Sequence, residues 1–189
     1  MIDDVLSFWF GDVARTREEW FRKSDAFDAE IRARFAETIE SAARGELDWE
    51  STPRGCLALV IVLDQFSRNA FRGAARSFAQ DDRARVAALR AIDAGVDMSL
   101  SPLERSFLYM PLMHAEDRSV QARSVALFET LAREAPSGVA EYLKSAADFA
   151  RKHSEIVERF GRFPHRNAIL GRVSTAEEAV FLEQPGSAF

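Results

Sequence analysis

The sequence contains a single cysteine, Cys56, so no disulfide framework can staple this chain. Cys56 opens the apolar run Cys56-Leu57-Ala58-Leu59-Val60-Ile61-Val62-Leu63, a setting that suits packing better than nucleophilic chemistry. Longer apolar stretches are absent. Eight residues fall far short of the ~20 that cross a bilayer. The start, Met1-Ile2-Asp3-Asp4, has no basic leader region, and the cytoplasm is the expected setting. Positive charge is in deficit, with 25 Lys and Arg against 30 Asp and Glu and a net charge of −5. Such a chain is not steered to nucleic acid or to an anionic membrane by its overall field, so neither is expected as a partner. Also missing are an HExxH helix, a paired CxxC, a glycine-rich phosphate loop and a G-x-S-x-G elbow. No cofactor or metal is therefore implied, and no spacing of the three histidines matches a metal site.

Apolar and aromatic residues are plentiful: 47% of the chain is hydrophobic and 15 residues are Phe. A length of 189 residues supports one packed domain, 1–189. Helix signals recur and strand signals do not. Ile2 to Phe10 is apolar on nearly every side and should be buried from several directions. Thr16-Arg17-Glu18-Glu19 reads as a capping box. Ser24 or Asp25 caps a helix with the stripe Phe27, Ile31, Phe35, Ile39 and Ala42, which Gly45 stops. Thr52-Pro53 begins the helix that carries the apolar run toward Phe71. Another is expected from Phe78 to Ala94, closed by Gly95. Ser101-Pro102-Leu103-Glu104 is the clearest helix start, and Pro111 should kink or break that helix. Helices from Ser119 to Glu134 and from Gly138 to Phe160 come next. Ser174-Thr175-Ala176-Glu177 opens a last short one, and the tail frays unless Phe189 docks. About seven to nine helices with short links make an all-α domain.

Three polar segments interrupt this pattern. In the first, Asp64 and Arg68 lie four apart and share a helix face. In the second, Pro111 precedes His114, Glu116 and Asp117. His114 and Asp117 are three apart, so Asp117 can orient the ring for proton transfer. The third comes after His153, an inward residue of the stripe Phe149–His153–Ile156–Phe160. There Arg162, His165, Arg166 and Asn167 converge between Phe163 and Pro164. Arginine grips carboxylates and phosphates through two parallel bonds.

These segments, with Phe8-Trp9-Phe10-Gly11, carry a resemblance. Leu63-Asp64-Gln65-Phe66-x-Arg68-Asn69 with Phe71-Arg72 is one block. Tyr109-Met110-Pro111-Leu112-x-His114-x-Glu116-Asp117 is the next. Arg159-Phe160-Gly161-Arg162-Phe163-Pro164-His165-Arg166-Asn167 with Leu170-Gly171-Arg172 is the last. In order and over nearly the whole chain, they resemble the bacterial domain of unknown function 924 family. Ser67 and Ala176 stand where that family leads one to expect Pro, and Ala115 where one expects Ser. No charged group is lost. The resemblance implies a tetratricopeptide-like superhelix of antiparallel helix pairs around a concave face, and no established reaction. One expectation is a site for a small anionic compound, bound or hydrolysed, with His114, Asp117 and Glu116 as catalytic candidates. Asp64, Arg68, Arg162, His165, Arg166 and Asn167 would hold the ligand. The alternative is an interaction scaffold that clamps an acidic peptide. In either case the polar segments must meet in space.

Overall fold

The computed structural model describes residues 1–11 and 16–187. Among these residues every regular element is a helix. α1 (Ile2–Phe10) buries Val5, Leu6, Phe8, Trp9 and Phe10, more than one face, as its all-round apolar sequence requires. The Thr16–Glu19 box does not form. A single 3₁₀ turn, Glu18–Trp20, follows an extended Arg17 with no side-chain cap. Trp20 is drawn inward instead, and its indole N–H donates to the Trp9 carbonyl at 2.8 Å. α2 (Asp25–Arg44) starts where Ser24 Oγ accepts the Phe27 N–H, and it ends at Gly45 with φ 78°. Its predicted stripe, from Phe27 through Ala42, is the buried face.

The centre of the fold is a rod in three parts. α3 (Pro53–Val60) is capped by Thr52, whose hydroxyl accepts the Gly55 N–H. It runs into a π-helical segment, Ile61–Phe66, and then α4 (Ser67–Ala70). Every residue from Gly55 to Ser67 is buried. Few helices are covered all round, and this one can be because it is apolar all round until Asp64. A π segment holds one residue more than a regular turn, and such segments occur often at functional sites.

After a 3₁₀ turn at Ala75–Phe78, α5 (Asp81–Asp93) packs on the rod. The helix expected from Phe78 thus begins three residues later, because residues 75–78 close a turn of their own. α6 (Pro102–Met113) opens with the complete Ser101–Glu104 capping box. Pro111 does not break it. The proline falls in the final turn, where it removes one hydrogen bond just before the helix stops. α7 (Arg118–Arg133) and α8 (Ala140–Phe160) come next through short links, so α6, α7 and α8 pack in succession. On α8 the buried face runs through Leu143, Ala146, Ala150 and His153. Phe149, expected on that face, is 45% exposed, with the Lys152 ammonium 5.2 Å from its ring centre.

The last helix, α9 (Ala176–Leu182), is capped by Thr175 with Glu178. The box is one residue later than predicted, since Ser174 is engaged by the Asn167 amide instead. One hydrophobic cluster reaches from Val5 on α1 to Ala150 on α8. A smaller one gathers Ile156, Val157 and Phe163, with Phe160 and Phe181 against it. Phe189 lies outside the described residues.

Candidate functional site

Asp64 sits in the π segment with no solvent exposure. A buried carboxylate is costly without partners, and this one has three. Arg68 Nη1 lies 2.9 Å from Oδ1, His114 Nδ1 lies 2.8 Å from the same oxygen, and the Gln65 amide donates to Oδ2. Burial pushes the Asp64 carboxyl up, but the Arg68 charge and the bonds from His114 and Gln65 outweigh it and hold the group well below the usual carboxylate range. Asp64 is therefore ionised at neutral pH.

His114 closes α6. Burial and the Arg68 charge push its pKa below the ordinary value, against the opposing pull of Asp64. A neutral ring bonded to a carboxylate through Nδ1 must carry its proton there. The second nitrogen, Nε2, then keeps a lone pair and can act as a base.

Asp81 stands in the first turn of α5, where a negative side chain is favoured. Both oxygens accept from Arg68, at 2.9 and 3.0 Å, in the two-pronged arrangement that guanidinium geometry favours. Arg166 Nη1 reaches Oδ2 of the same carboxylate at 3.2 Å. One carboxylate thus holds two guanidinium groups.

Arg166 is 93% buried, its side chain being 7% exposed. Its guanidinium carbon lies 4.7 Å from the Phe78 ring centre and 4.5 Å from that of Phe163. Both rings attract the charge. Burial pushes its pKa down to about 10, which leaves it charged at neutral pH. Its Nε–H is buried and meets no acceptor among the described residues. Such an orphan donor costs about 1–3 kcal/mol.

The other two histidines border the same place. The His153 ring is 6.1 Å from that of His114 and 5.5 Å from Phe163. Its Nδ1 bonds the Phe149 carbonyl at 2.8 Å. His165 packs 5.7 Å from Phe163. Burial is the main cause that pushes His153 down to about 3 and His165 to about 4.

The remaining candidates hold the rim. Glu116 accepts the Phe163 N–H at 2.8 Å and binds Arg172 through two bonds, at 2.5 and 2.9 Å. It fastens the 163–172 segment over the cluster. Asp117 does not orient His114. It is exposed and caps α7, accepting the Val120 N–H at 2.9 Å. A cap uses the carboxylate locally, so the ring takes its partner from the distant Asp64 instead. Arg162 and Asn167 also lie apart from His114. Arg162 binds Glu178 at 2.6 and 2.8 Å, and Asn167 bonds Ser174 and Glu178. Both tie α9 to the turn at Pro164–Arg166. Of the predicted set, then, Asp64, Arg68, His114 and Arg166 form one bonded network, with His165 beside it.

Three polar blocks that are far apart in the sequence are thus one place in the fold. The family described as bacterial protein of unknown function, DUF924, matches residues 5–186. The chain belongs to that family. It is also similar to a solved structure of a protein of unknown function from Agrobacterium tumefaciens, with 42% identity, a TM-score of 0.84 and 96% of each chain covered. No curated protein matches it.

Within this DUF924 chain, three site residues escaped sequence reasoning. Asp81 reads as an ordinary acid in a first helical turn, Phe78 as the start of a helix, and Arg172 as the end of a motif. A charge that repeats no local pattern gives no clue to a partner 85 positions away. No cluster of three or more His, Cys, Asp or Glu suited to a metal occurs among the described residues. Hollows of about 450 Å³ beside Arg151 and about 1020 Å³ beside Arg17 share no residue with the network. Chemistry, rather than concavity, singles out this place.

Proposed function

We propose that the network around Asp64 is a site for a small anionic compound, which His114 turns over by proton transfer, with hydrolysis as the reaction class. The observation that supports it most is the oriented imidazole of His114 joined, through Asp64 and Asp81, to two arginines. An imidazole held by a buried carboxylate can take up a proton as the anion binds and pass it to the leaving group, and nearby guanidinium groups can hold the negative charge that develops. Ser67 offers no competing nucleophile. It is buried, and its hydroxyl is committed to the Val62 carbonyl at 3.2 Å. The rim remains accessible: Arg68, Asp81 and His114 keep 19%, 16% and 15% of their side-chain surface. The π segment beneath Asp64 adds weight, since distorted helical turns persist mainly where function needs them.

A tetratricopeptide-like scaffold that holds an acidic peptide fits less well. Arginines so deeply set suit a compact ligand better than a polypeptide backbone. A cytoplasmic setting fits a chain whose lone cysteine is buried. No helix among the described residues is long and apolar enough to cross a membrane.

The test is a thermal-shift screen of carboxylates, phosphate esters and inorganic phosphate, with product analysis of whatever stabilises the protein. Ligands that bind only the folded form raise Tm. The reading expects at least one anion to do so, with stabilisation lost in Arg166→Lys and turnover lost in His114→Asn. If no anion of any class raises Tm, the reading is wrong.

A further inference from the structure

The charges of the network cancel. Arg68 and Arg166 are matched by Asp64 and Asp81, Arg172 by Glu116, and His114 is neutral. Yet one strong donor remains unused. Arg166 Nε–H is buried, held in place by Phe78 and Phe163, and has no acceptor among the described residues. The site therefore has room in its hydrogen bonding for one more acceptor, and no surplus positive charge to neutralise one.

We infer that the ligand group is a compact monocarboxylate, received at Arg166 Nε, and that its binding draws one proton from solvent onto His114. This rests on the anion-site reading above and narrows it. A phosphate monoester carries about −1.5 to −2 at neutral pH, which would leave close to two negative charges in a balanced, mostly buried cluster. A carboxylate brings one. One proton restores the balance, and His114 is the group placed to take it. Nδ1 is already bonded to Asp64, so the proton arrives at Nε2 and no existing bond breaks. The charged and titratable groups around that ring are Asp64 and Arg68 from the central rod and Asp81 from α5. His153 faces it from α8, and His165 from the turn at Pro164–Arg166. His153 and His165 are pushed down to about 3 and about 4, while His114 has the Asp64 carboxylate at 2.8 Å to stabilise its charged form. The carboxylate oxygen that replaces the missing acceptor makes a charge-assisted bond, the stronger kind.

Isothermal calorimetry with sodium acetate, in buffers of different ionisation heat at pH 6, 7 and 8, tests this. The expected result is uptake of about one proton per acetate, and a Kd that rises up to about tenfold per pH unit. Inorganic phosphate should bind at least about tenfold more weakly than acetate at pH 8, where it is mostly dianionic. Arg166→Lys keeps a cation beside Asp81 but lacks the side-facing N–H, and should weaken acetate about tenfold or more. His114→Asn should remove the pH dependence, and its circular-dichroism melt separates this from misfolding. If Arg166-dependent phosphate binding outranks acetate, or acetate binds with no proton uptake, the inference is overturned while the anion site stands. If acetate does not bind while another anion of the thermal-shift screen does, the inference is likewise overturned and the anion site stands; if no anion of any class binds, both fail.

Discussion

Nδ1 of His114 and Oδ1 of Asp64 are joined by a 2.8 Å hydrogen bond across 50 positions of chain. The bond links the end of α6 to the middle of the buried rod, and it fixes which nitrogen of the imidazole faces the rim. It is a tertiary contact in the strict sense, since neither local element could make it alone.

Asp64→Asn tests how much the network holds. It removes a buried charge that faces Arg68 and His114, and it should cost about 3–5 kcal/mol. A comparison is built into the molecule. Arg44 and Glu46 pair at 2.6 Å, but both are more than half exposed, and water screens such pairs until they contribute little. Arg44→Ala should therefore leave the urea midpoint close to that of the parent protein. Urea denaturation of both variants measures the contrast. Equal losses would mean that Asp64 is no structural centre.

The histidines make stability depend on pH in one direction. His153 falls from an ordinary 6.5 to about 3 because it is buried. As pH drops below 6.5, the unfolded chain takes up the proton first, so stability must fall with falling pH. One fully responding group gives about 1.4 kcal/mol per pH unit, or about 2 kcal/mol between pH 6.5 and 5. His165 adds in the same sense above about 4. Asp64, whose folded value is depressed, also loses its contribution on acidification, but only below about pH 4. Urea titrations at pH 7, 6 and 5 should show the slope, and His153→Leu should make it shallower. A stability that does not change over that range would mean that His153 is not buried in the neutral form.

Glu116→Gln should loosen the 163–172 segment without melting the helices. It removes the charge that binds Arg172 and weakens the acceptor for the Phe163 N–H. Hydrogen exchange monitored by mass spectrometry should show faster exchange in residues 163–172 and unchanged protection in α2 and α6. Uniformly faster exchange would assign Glu116 to the global fold instead.

Gly55→Ala should destabilise strongly for a change of one methyl group. A Cβ there would sit 2.0 Å from the Trp49 carbonyl oxygen, and backbone cannot move aside as a side chain can. The expected loss is about 1–3 kcal/mol, the range of overpacked sites. Thermal melts check it. A loss below about 0.5 kcal/mol would mean that the 49–52 turn yields easily.

Legibility of the structure in the sequence divides by distance along the chain. The Ser101–Glu104 box, the Thr52-Pro53 start, the Phe27–Ala42 stripe and the glycine stops at 45 and 161 are local devices, and they are where the sequence places them. Asp64 with Arg68 is local too. The Thr16 box does not form, because burying Trp20 against Trp9 wins over a cap. Asp117 matches the spacing for His114 equally well, but capping α7 uses it up. Asp81 has no local signal at all. A site assembled from helix ends is legible only through residues that look out of place in their own segment. The aspartate in an apolar rod qualifies, and the aspartate in a first turn does not.

The π segment at Ile61–Phe66 amounts to one surplus residue wound into an otherwise ordinary spiral. A relative with that residue deleted would recover a regular spiral, and the rest of the rod, through α4, would swing round the axis by about 100° relative to α3 and the α5 packed on it. Arg68 would then face away from Asp81. A single-codon deletion here would therefore preserve the hydrophobic body and dismantle the arrangement of charges, a lesion that sequence identity alone would not reveal.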